Sequence, residues 1–187
     1  MPTADFLCIR CARHMKTCCQ TTEIFVTRGD VARIAEHSGQ GDFFEFRRPV
    51  NPDYADQDDD PAWRDNVFQA DGSRRVLKKQ AAGDCTFLGS AGCTLPLETR
   101  PLICRIYPYD YDAAGIQHDL APGCPLELLR PGLTLIDELA MNRADAERWH
   151  QQLYAELCTE NIAGDSRAID DRPAEEAAVG RGGVTHV

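Results

Sequence analysis

Apolar side chains recur at helical spacing in two stretches of this chain. In the first stretch, Val31 and Ile34 follow Thr27 and Asp30, which form an approximate capping box with Asp in place of the usual Glu. The two side chains of such a box accept hydrogen bonds from the free N–H groups at the start of a helix. The pattern therefore predicts a helix near residues 28–38.

The second stretch predicts the longest helix, at about residues 135–158. Thr134 and Asp137 stand at capping-box spacing in front of it. Its apolar stripe, at spacings near three and four, comprises Leu135, Leu139, Ala146, Trp149, Leu153 and Leu157. The chain then becomes rich in Ala, Gly and acidic residues, so we expect residues 160–187 to be a disordered tail.

Shorter elements are predicted between these helices. Residues 75–79 alternate weakly between polar and apolar side chains and indicate a strand. Glycine-containing turns at 89–92 and within 109–116 indicate hairpins. A short turn is expected from Asp42, with the phenylalanines that follow it in the core. The acidic stretch 51–65 is expected to be a solvated loop.

One further short helix is predicted before the last hairpin. Thr99 is placed as its N-cap and Pro101 in its first turn, where the missing N–H of proline costs nothing. This helix would carry Cys104 and end at Pro108.

Net charge and hydropathy exclude two kinds of partner. The formal net charge is −10 and the pI is near 4.9, whereas nucleic-acid binding requires a basic face that releases counterions, so we expect no nucleic-acid partner. The sequence has no apolar run of about eighteen residues, as a membrane span would need. Residues 1–20 carry charges and no unbroken apolar segment of an export signal. We therefore expect a cytoplasmic protein that does not bind membranes.

Eight of the nine cysteines form one ordered set. Its members are Cys8, Cys11, Cys18 and Cys19 near the start of the chain, and Cys85, Cys93, Cys104 and Cys124 in the middle. In a reducing compartment, paired sulfurs are typical of metal ligands, whereas a secreted chain would use them for disulfides. We expect the eight to converge in one region and bind metal, because a pair of sulfurs cannot complete a tetrahedral shell alone.

Three details qualify this metal set. The adjacent Cys18 and Cys19 are expected to diverge and to serve two ions or two edges of a cluster. Cys158 has no cysteine neighbour in the sequence and is left out of the set. His14 lies between ligand pairs and is an alternative ligand. Cations near in sequence would hold the thiolates ionised: Arg10, Arg13, Lys16, Arg100 and Arg105.

These elements together predict an α+β fold. We expect a small, irregular, metal-stabilised single domain over residues 1–159, with short helices, one or two hairpins and one longer C-terminal helix.

The spacing of the motifs around these cysteines is recognisable. Arg100-Pro101-x-x-Cys104-Arg105-x-Tyr107-Pro108 stands between Gly92-Cys93-Thr94 and Pro122-Gly123-Cys124. With the opening cysteines, this array resembles the bacterial and archaeal cysteine-cluster family of the CxxCxxCC type, for which zinc or iron chelation is suggested. The resemblance covers residues 8–124. Many members open with C-x2-C-x2-C-C, whereas six residues separate Cys11 from Cys18 here.

The resemblance implies metal chelation, and it leaves two classes of function open. One is a zinc or iron module in which the metal is structural or redox-active. The other is a protein-modifying enzyme related to lysine N-methylases, because a similar domain occurs in bacterial flagellin lysine methylases. The sequence has no glycine-rich strand-to-helix turn for an adenosyl donor, which disfavours the second class.

The nature of the metal and the chemistry of the protein stay open at this point. Eight thiolates fit two four-sulfur zinc sites, one four-iron cluster with a zinc ion, or two iron–sulfur clusters. A complete four-sulfur shell is closed to substrate and favours a structural or redox role. The sequence names no nucleophile–base pair, so it does not predict whether the protein is an enzyme, and a protein partner is left undetermined.

Overall fold

A computed structural model describes residues 7–14, 18–55 and 59–160 of the chain. Within these ranges the protein has seven α-helices and three two-stranded antiparallel sheets, which is an α+β arrangement as predicted. The last described helix ends at Glu160, and residues 161–187 of the expected tail lie outside the described residues. None of the described helices is long and apolar enough to cross a membrane.

Three helices occupy the first part of the chain: α1 (Leu7–His14), α2 (Cys18–Thr21) and α3 (Arg28–Ser38). The capping box predicted for α3 is confirmed. The Thr27 hydroxyl accepts a hydrogen bond from the Asp30 N–H at 2.9 Å, and the Asp30 carboxylate accepts one from the Thr27 N–H at 3.1 Å. Gly39 ends the helix at a φ of 67°, a left-handed conformation that glycine adopts without strain.

The first sheet pairs β1 (Phe44–Arg47) with β2 (Arg74–Leu77). The short turn expected from Asp42 was wrong, because this segment continues into β1. Of the phenylalanines expected in the core, Phe43 is buried, whereas Phe46 is half-exposed. The strand predicted at residues 75–79 is confirmed as β2, one residue earlier at its start.

Both predicted hairpins are present. Strands β3 (Leu88–Gly89) and β4 (Gly92–Cys93) form the first, and β5 (Tyr109–Asp112) and β6 (Gly115–Leu120) form the second. The first hairpin ends on Cys93 and therefore places one of the predicted ligands.

The acidic stretch expected to be a loop contains α4 (Pro61–Val67), which corrects that prediction. Asp60 caps this helix by accepting hydrogen bonds from the Ala62 and Trp63 N–H groups. The Trp63 and Val67 side chains are buried in the core. Burial of two large apolar side chains outweighs the cost of ordering an acidic segment.

Helix α5 (Leu102–Ile106) carries Cys104, as predicted, but its cap differs. Thr99 was wrongly placed as the N-cap, since it ends a separate 3-10 turn, Leu97–Thr99. The free N–H of Leu102 instead donates at 3.1 Å to the Asp30 carboxylate. One buried carboxylate therefore caps both α3 and α5.

The predicted C-terminal helix is interrupted and forms two, α6 (Leu135–Glu138) and α7 (Arg143–Glu160). The capping box of Thr134 is confirmed. The break contains Ala140 at a φ of 51°, and α7 restarts where the Asn142 side chain accepts a hydrogen bond from the Asp145 N–H.

The buried side chains gather in two apolar clusters. The first lies where α7 packs on α4 and α5 and includes Trp149, Leu153 and Leu157. The second lies against α3 and consists of Ile24, Val26, Ile34, Phe43, Leu77, Cys85, Phe87 and Leu95. Ile103 of α5 packs against both clusters. Helix α5 thus joins the C-terminal helix to the elements that carry the cysteines.

Candidate metal centre

Helix α1 presents Cys8 and Cys11, which are one helical turn apart. It is held in place by Arg10, whose guanidinium donates at 3.0 Å to the Leu128 carbonyl and pairs at 2.9 Å with Glu138. Glu138 has a fully buried side chain and also receives hydrogen bonds from Arg130. The helix that carries Cys8 and Cys11 is therefore anchored to a segment 118 residues later in the chain.

Helix α2 carries Cys18 and Cys19 and is fastened to the segment around Cys85. The Cys85 N–H donates at 2.9 Å to the Cys19 carbonyl. The Lys79 ammonium donates at 2.9 Å to the Gln20 carbonyl, and the Gln20 amide donates at 2.8 Å to Asp84. These three bonds join an early segment to one about sixty residues later.

The hairpin of β3 and β4 folds the chain back so that Cys93 returns close to Cys85, which precedes the hairpin. Leu88 pairs directly with Cys93 in the antiparallel register, and the Leu88 N–H donates back to the Cys85 carbonyl at 2.9 Å. The turn between the two cysteines thus forms the hairpin that the sequence predicted.

Cys124 lies in a bend whose position is fixed by Tyr107. The Tyr107 hydroxyl is 3.4 Å from the Cys124 sulfur, and it donates at 3.3 Å to the Pro122 carbonyl. Gly123 has a φ of 117°, and a Cβ at this position would also lie 3.4 Å from the Tyr107 hydroxyl. The bend therefore requires glycine in order to present the last thiol.

The thiols lie close enough to perturb one another electrostatically. Burial and, to a smaller extent, the Cys124 and Cys19 thiols together raise the pKa of Cys8 to about 12, although the residue keeps contact with solvent. Burial also raises the pKa of Cys85 to about 11, with smaller contributions from Cys19 and Cys93. These effects bring five thiols of the predicted set into one region: Cys8, Cys19, Cys85, Cys93 and Cys124.

Another of these thiols, Cys104, is on α5. Burial raises the pKa of Cys104 well above its usual value, and Cys19, Cys85 and Cys93 add to the effect. The pKa of Cys18 is raised first by a hydrogen bond with Cys19. The expectation that this pair serves two ions or two edges of a cluster stays a prediction.

Arg100 is a cation that acts on two of the thiols. Its Nε donates to the Leu95 carbonyl at 3.0 Å. Burial raises the pKa of Cys93, and the charge of Arg100 and a hydrogen bond from it limit this rise. Its charge likewise limits the burial-driven rise in the pKa of Cys8. Arg105, the other arginine of the motif, is buried and donates to the Arg100 carbonyl at 2.7 Å. Arg105 thus supports the backbone of the arginine that faces the sulfurs.

The remaining candidates lie elsewhere or outside the described part. Cys158 is an exposed residue of α7, and Arg13 is exposed on α1. Lys16 lies outside the described residues, and the side chain of His14 is not among those described.

The described thiols do not stand in finished ligand geometry. Within residues 7–14, 18–55 and 59–160, no three His, Cys, Asp or Glu side chains are placed so that they could hold a metal ion. The desolvated thiols favour their protonated form, and a metal ion must displace those protons before sulfur can coordinate it. Ligation of a metal by the eight cysteines therefore stays a prediction. A set of sulfur donors in one region is suited to zinc or to an iron–sulfur cluster.

A separate pocket of about 290 Å³ opens between α3 and the 3-10 turn before α5, and it is lined by Arg33, Glu36, His37, Glu98 and Thr99. All five lining side chains are polar. Cofactor sites are lined predominantly by apolar and aromatic side chains, so this pocket does not have the character of one.

The comparison with protein families gives the identity of the domain. The CxxCxxCC family, whose description reads "Putative zinc- or iron-chelating domain", matches residues 7–125. This match covers more than half of the chain and includes all eight cysteines of the set, so the protein belongs to this zinc- or iron-chelating family. No curated protein and no solved structure matches the chain.

Proposed function

We propose that this protein is a cytoplasmic metal-binding module in which Cys8, Cys11, Cys18, Cys19, Cys85, Cys93, Cys104 and Cys124 hold zinc or iron. The observation that supports this most is their assembly: eight thiols from distant parts of the chain gather in one region, while the ninth stands apart on α7. Core packing alone gives no reason for eight thiols to gather there.

The surroundings suit thiolate ligation. Arg100 offers a positive charge and a hydrogen bond to Cys93, and Tyr107 offers a hydroxyl to Cys124. Such neighbours stabilise thiolates and orient them towards a metal. Bound zinc would supply structural cross-linking, and bound iron–sulfur clusters would add one-electron redox chemistry.

The test is metal analysis of protein purified without oxygen, together with its visible absorption spectrum. Zinc-loaded protein would be colourless, whereas an iron–sulfur cluster would make it brown. Cys158→Ser, the matched control outside the set, should contain as much metal as the parent. Fully reduced parent protein that neither contains nor takes up zinc or iron would refute the proposal.

The alternative of a protein-modifying enzyme related to lysine methylases has its own test. Calorimetry with S-adenosylmethionine should show no stable binding, since the sequence lacks a recognisable cradle for the adenosyl donor. Binding near one equivalent, lost on Cys104→Ser, would favour the enzyme.

A further inference from the structure

We propose that the eight cysteines form two separate four-thiol sites: an inner site of Cys19, Cys85, Cys93 and Cys104, and an outer site of Cys8, Cys11, Cys18 and Cys124. The division rests on the proposed metal-binding function. It also assigns different roles to the sites, with the inner metal held firmly and the outer metal open to exchange.

The four inner cysteines share one apolar environment. Cys85 belongs to the buried cluster against α3, and Cys19, Cys93 and Cys104 pack against that same cluster. In the part of the chain that the structure describes, neither Cys11 nor Cys124 belongs to it. The four therefore lie on one patch of the core, although they come from α2, a loop, β4 and α5.

Backbone hydrogen bonds and strand pairing connect Cys85 with Cys19 and, through Leu88, with Cys93. The Cys85 N–H donates to the Cys19 carbonyl, and Cys93 pairs with Leu88, whose N–H donates to the Cys85 carbonyl. Cys104 completes the group from α5, because the cap that Asp30 gives to Leu102 sets the start of that helix against α3.

The outer cysteines meet around Tyr107 and α1. Cys8 and Cys11 lie one turn apart on α1, which contacts the 3-10 turn (Leu126–Leu128) that follows Cys124. The Tyr107 hydroxyl contacts the Cys124 sulfur and lies in the electrostatic field of Cys8 and Cys18. Cys8, Cys18 and Cys124 therefore all act on one phenol, and of these Cys124 is in direct contact with it. Cys11 lies one turn from Cys8 on α1, a helix that also contacts β4.

The two groups adjoin at α2. Cys18 and Cys19 are consecutive and their thiols hydrogen-bond, so each site takes one sulfur from this pair. A divalent ion with four thiolates carries about two negative charges, and two such sites side by side would repel each other. Arg100 acts electrostatically on both Cys93 of the inner group and Cys8 of the outer group, so its positive charge would offset part of this repulsion.

The environments of the two groups differ. Cys85 is buried, and its three inner partners are at most half-exposed. In the outer group Cys8 and Cys18 are exposed to solvent, Cys124 is half-buried and Cys11 is buried, so two of its four sulfurs face water. Water and competing thiols reach exposed sulfur more readily, so the outer metal is the one available for transfer or for redox chemistry.

The decisive experiment measures metal stoichiometry with Co²⁺ as the probe, since its absorption reports thiolate ligation. The parent should bind two equivalents, whereas Cys85→Ser and Cys124→Ser should each bind one and the double variant none. On challenge with a chelator, Cys124→Ser should release its Co²⁺ more slowly than Cys85→Ser. Loss of all Co²⁺ in each single variant would show one indivisible cluster and overturn the division.

A measurement on unaltered protein covers the case in which a variant fails to fold. Reduced protein with one equivalent of Co²⁺ is treated with an alkylating reagent, and the modified cysteines are identified by mass spectrometry. The four inner cysteines should be protected together and the four outer ones modified. A protected set that mixes members of both groups would refute the division, whereas a parent that binds no metal at all would refute the proposed function itself.

Discussion

The Tyr107 hydroxyl lies 3.4 Å from the sulfur of Cys124, and it donates a hydrogen bond at 3.3 Å to the carbonyl of Pro122 in the same bend. Burial raises the pKa of Tyr107, and the hydrogen bond with Cys124 raises it further, so the phenol stays protonated. A phenol has one proton to donate. When Cys124 loses its own proton, the phenol proton becomes the natural partner for the thiolate, because bonds to charged acceptors are the stronger ones.

Tyr107→Phe should therefore weaken metal binding on the order of tenfold, the size typical for loss of a hydrogen-bonding neighbour of a ligand. Competition with a chromophoric chelator measures the affinity. The matched control is Tyr109→Phe, since the Tyr109 ring is buried and has Arg143 and Glu147 as its electrostatic neighbours. Equal affinities in the two variants would mean that the phenol only fills space.

Cys104→Ser should reduce bound metal and lower solubility, whereas Cys158→Ser should keep full metal content. A hydroxyl is a poor substitute for a thiolate, and Cys104 belongs to the group on the core, whereas Cys158 is exposed on α7. Metal analysis of both purified proteins is sufficient. Equal metal loss would mean that Cys158 is a ligand.

Metal removal should unfold the part of the domain that packs against α3. A structural zinc ion contributes about 10–16 kcal/mol, which is comparable with the whole stability of a domain, about 5–15 kcal/mol. The cluster around α7 contains no cysteine among its described members and should keep more of its helix. Thermal melting followed by circular dichroism, with and without a chelator under reducing conditions, checks this. An unchanged melting temperature would place the metal at the periphery.

Glu138 should stabilise the fold at neutral pH and cease to do so in acid. Hydrogen bonds from Arg130, with a further one from Arg10, lower its pKa to about 2, below the value near 4.3 of an unfolded chain. A lowered pKa contributes stability that is present above pH 4.3 and is lost as the pH falls towards 2.

Glu138→Gln should accordingly be less stable than the parent at pH 7, and the difference should shrink below pH 4. Denaturant unfolding at several pH values measures it, and comparison at each pH removes the shared effect of acid on the thiols. Glu147→Gln is the control, because its ion pair with Arg143 is half-exposed and should contribute little. A difference that stays constant with pH would show that packing, and not charge, is responsible.

The elements predicted well are those whose signals are local. Thr27 and Asp30 cap α3 in the structure with the bonds that their spacing implies. Helix α4 was missed although Asp60 and Pro61 are an N-cap and a first-turn proline, because the acidic stretch around them was interpreted as solvated. In the same way, Asn142 with Asp145 was the available signal for the start of α7.

The candidate site was predicted as a set of residues and not as a geometry. Spacing along the sequence identifies paired sulfurs, and it does not say which pair from the first half meets which from the second. That depends on distant contacts, such as Asp30 with Leu102 or Cys85 with Cys19, which leave no local pattern. The contact of the Tyr107 hydroxyl with Cys124 could not be predicted from the sequence either, since packing and turn formation explained Tyr107 equally well.

The anchoring of α1 has a consequence for the newly made chain. Arg10 binds Leu128 and Glu138, so the helix with Cys8 and Cys11 has no seat until those residues have left the ribosome. Cys8 and Cys11, which are synthesised before the other six thiols, thus take their positions only after residues 128–138 are made. During this interval their thiols are open to oxidation and to binding of other metals.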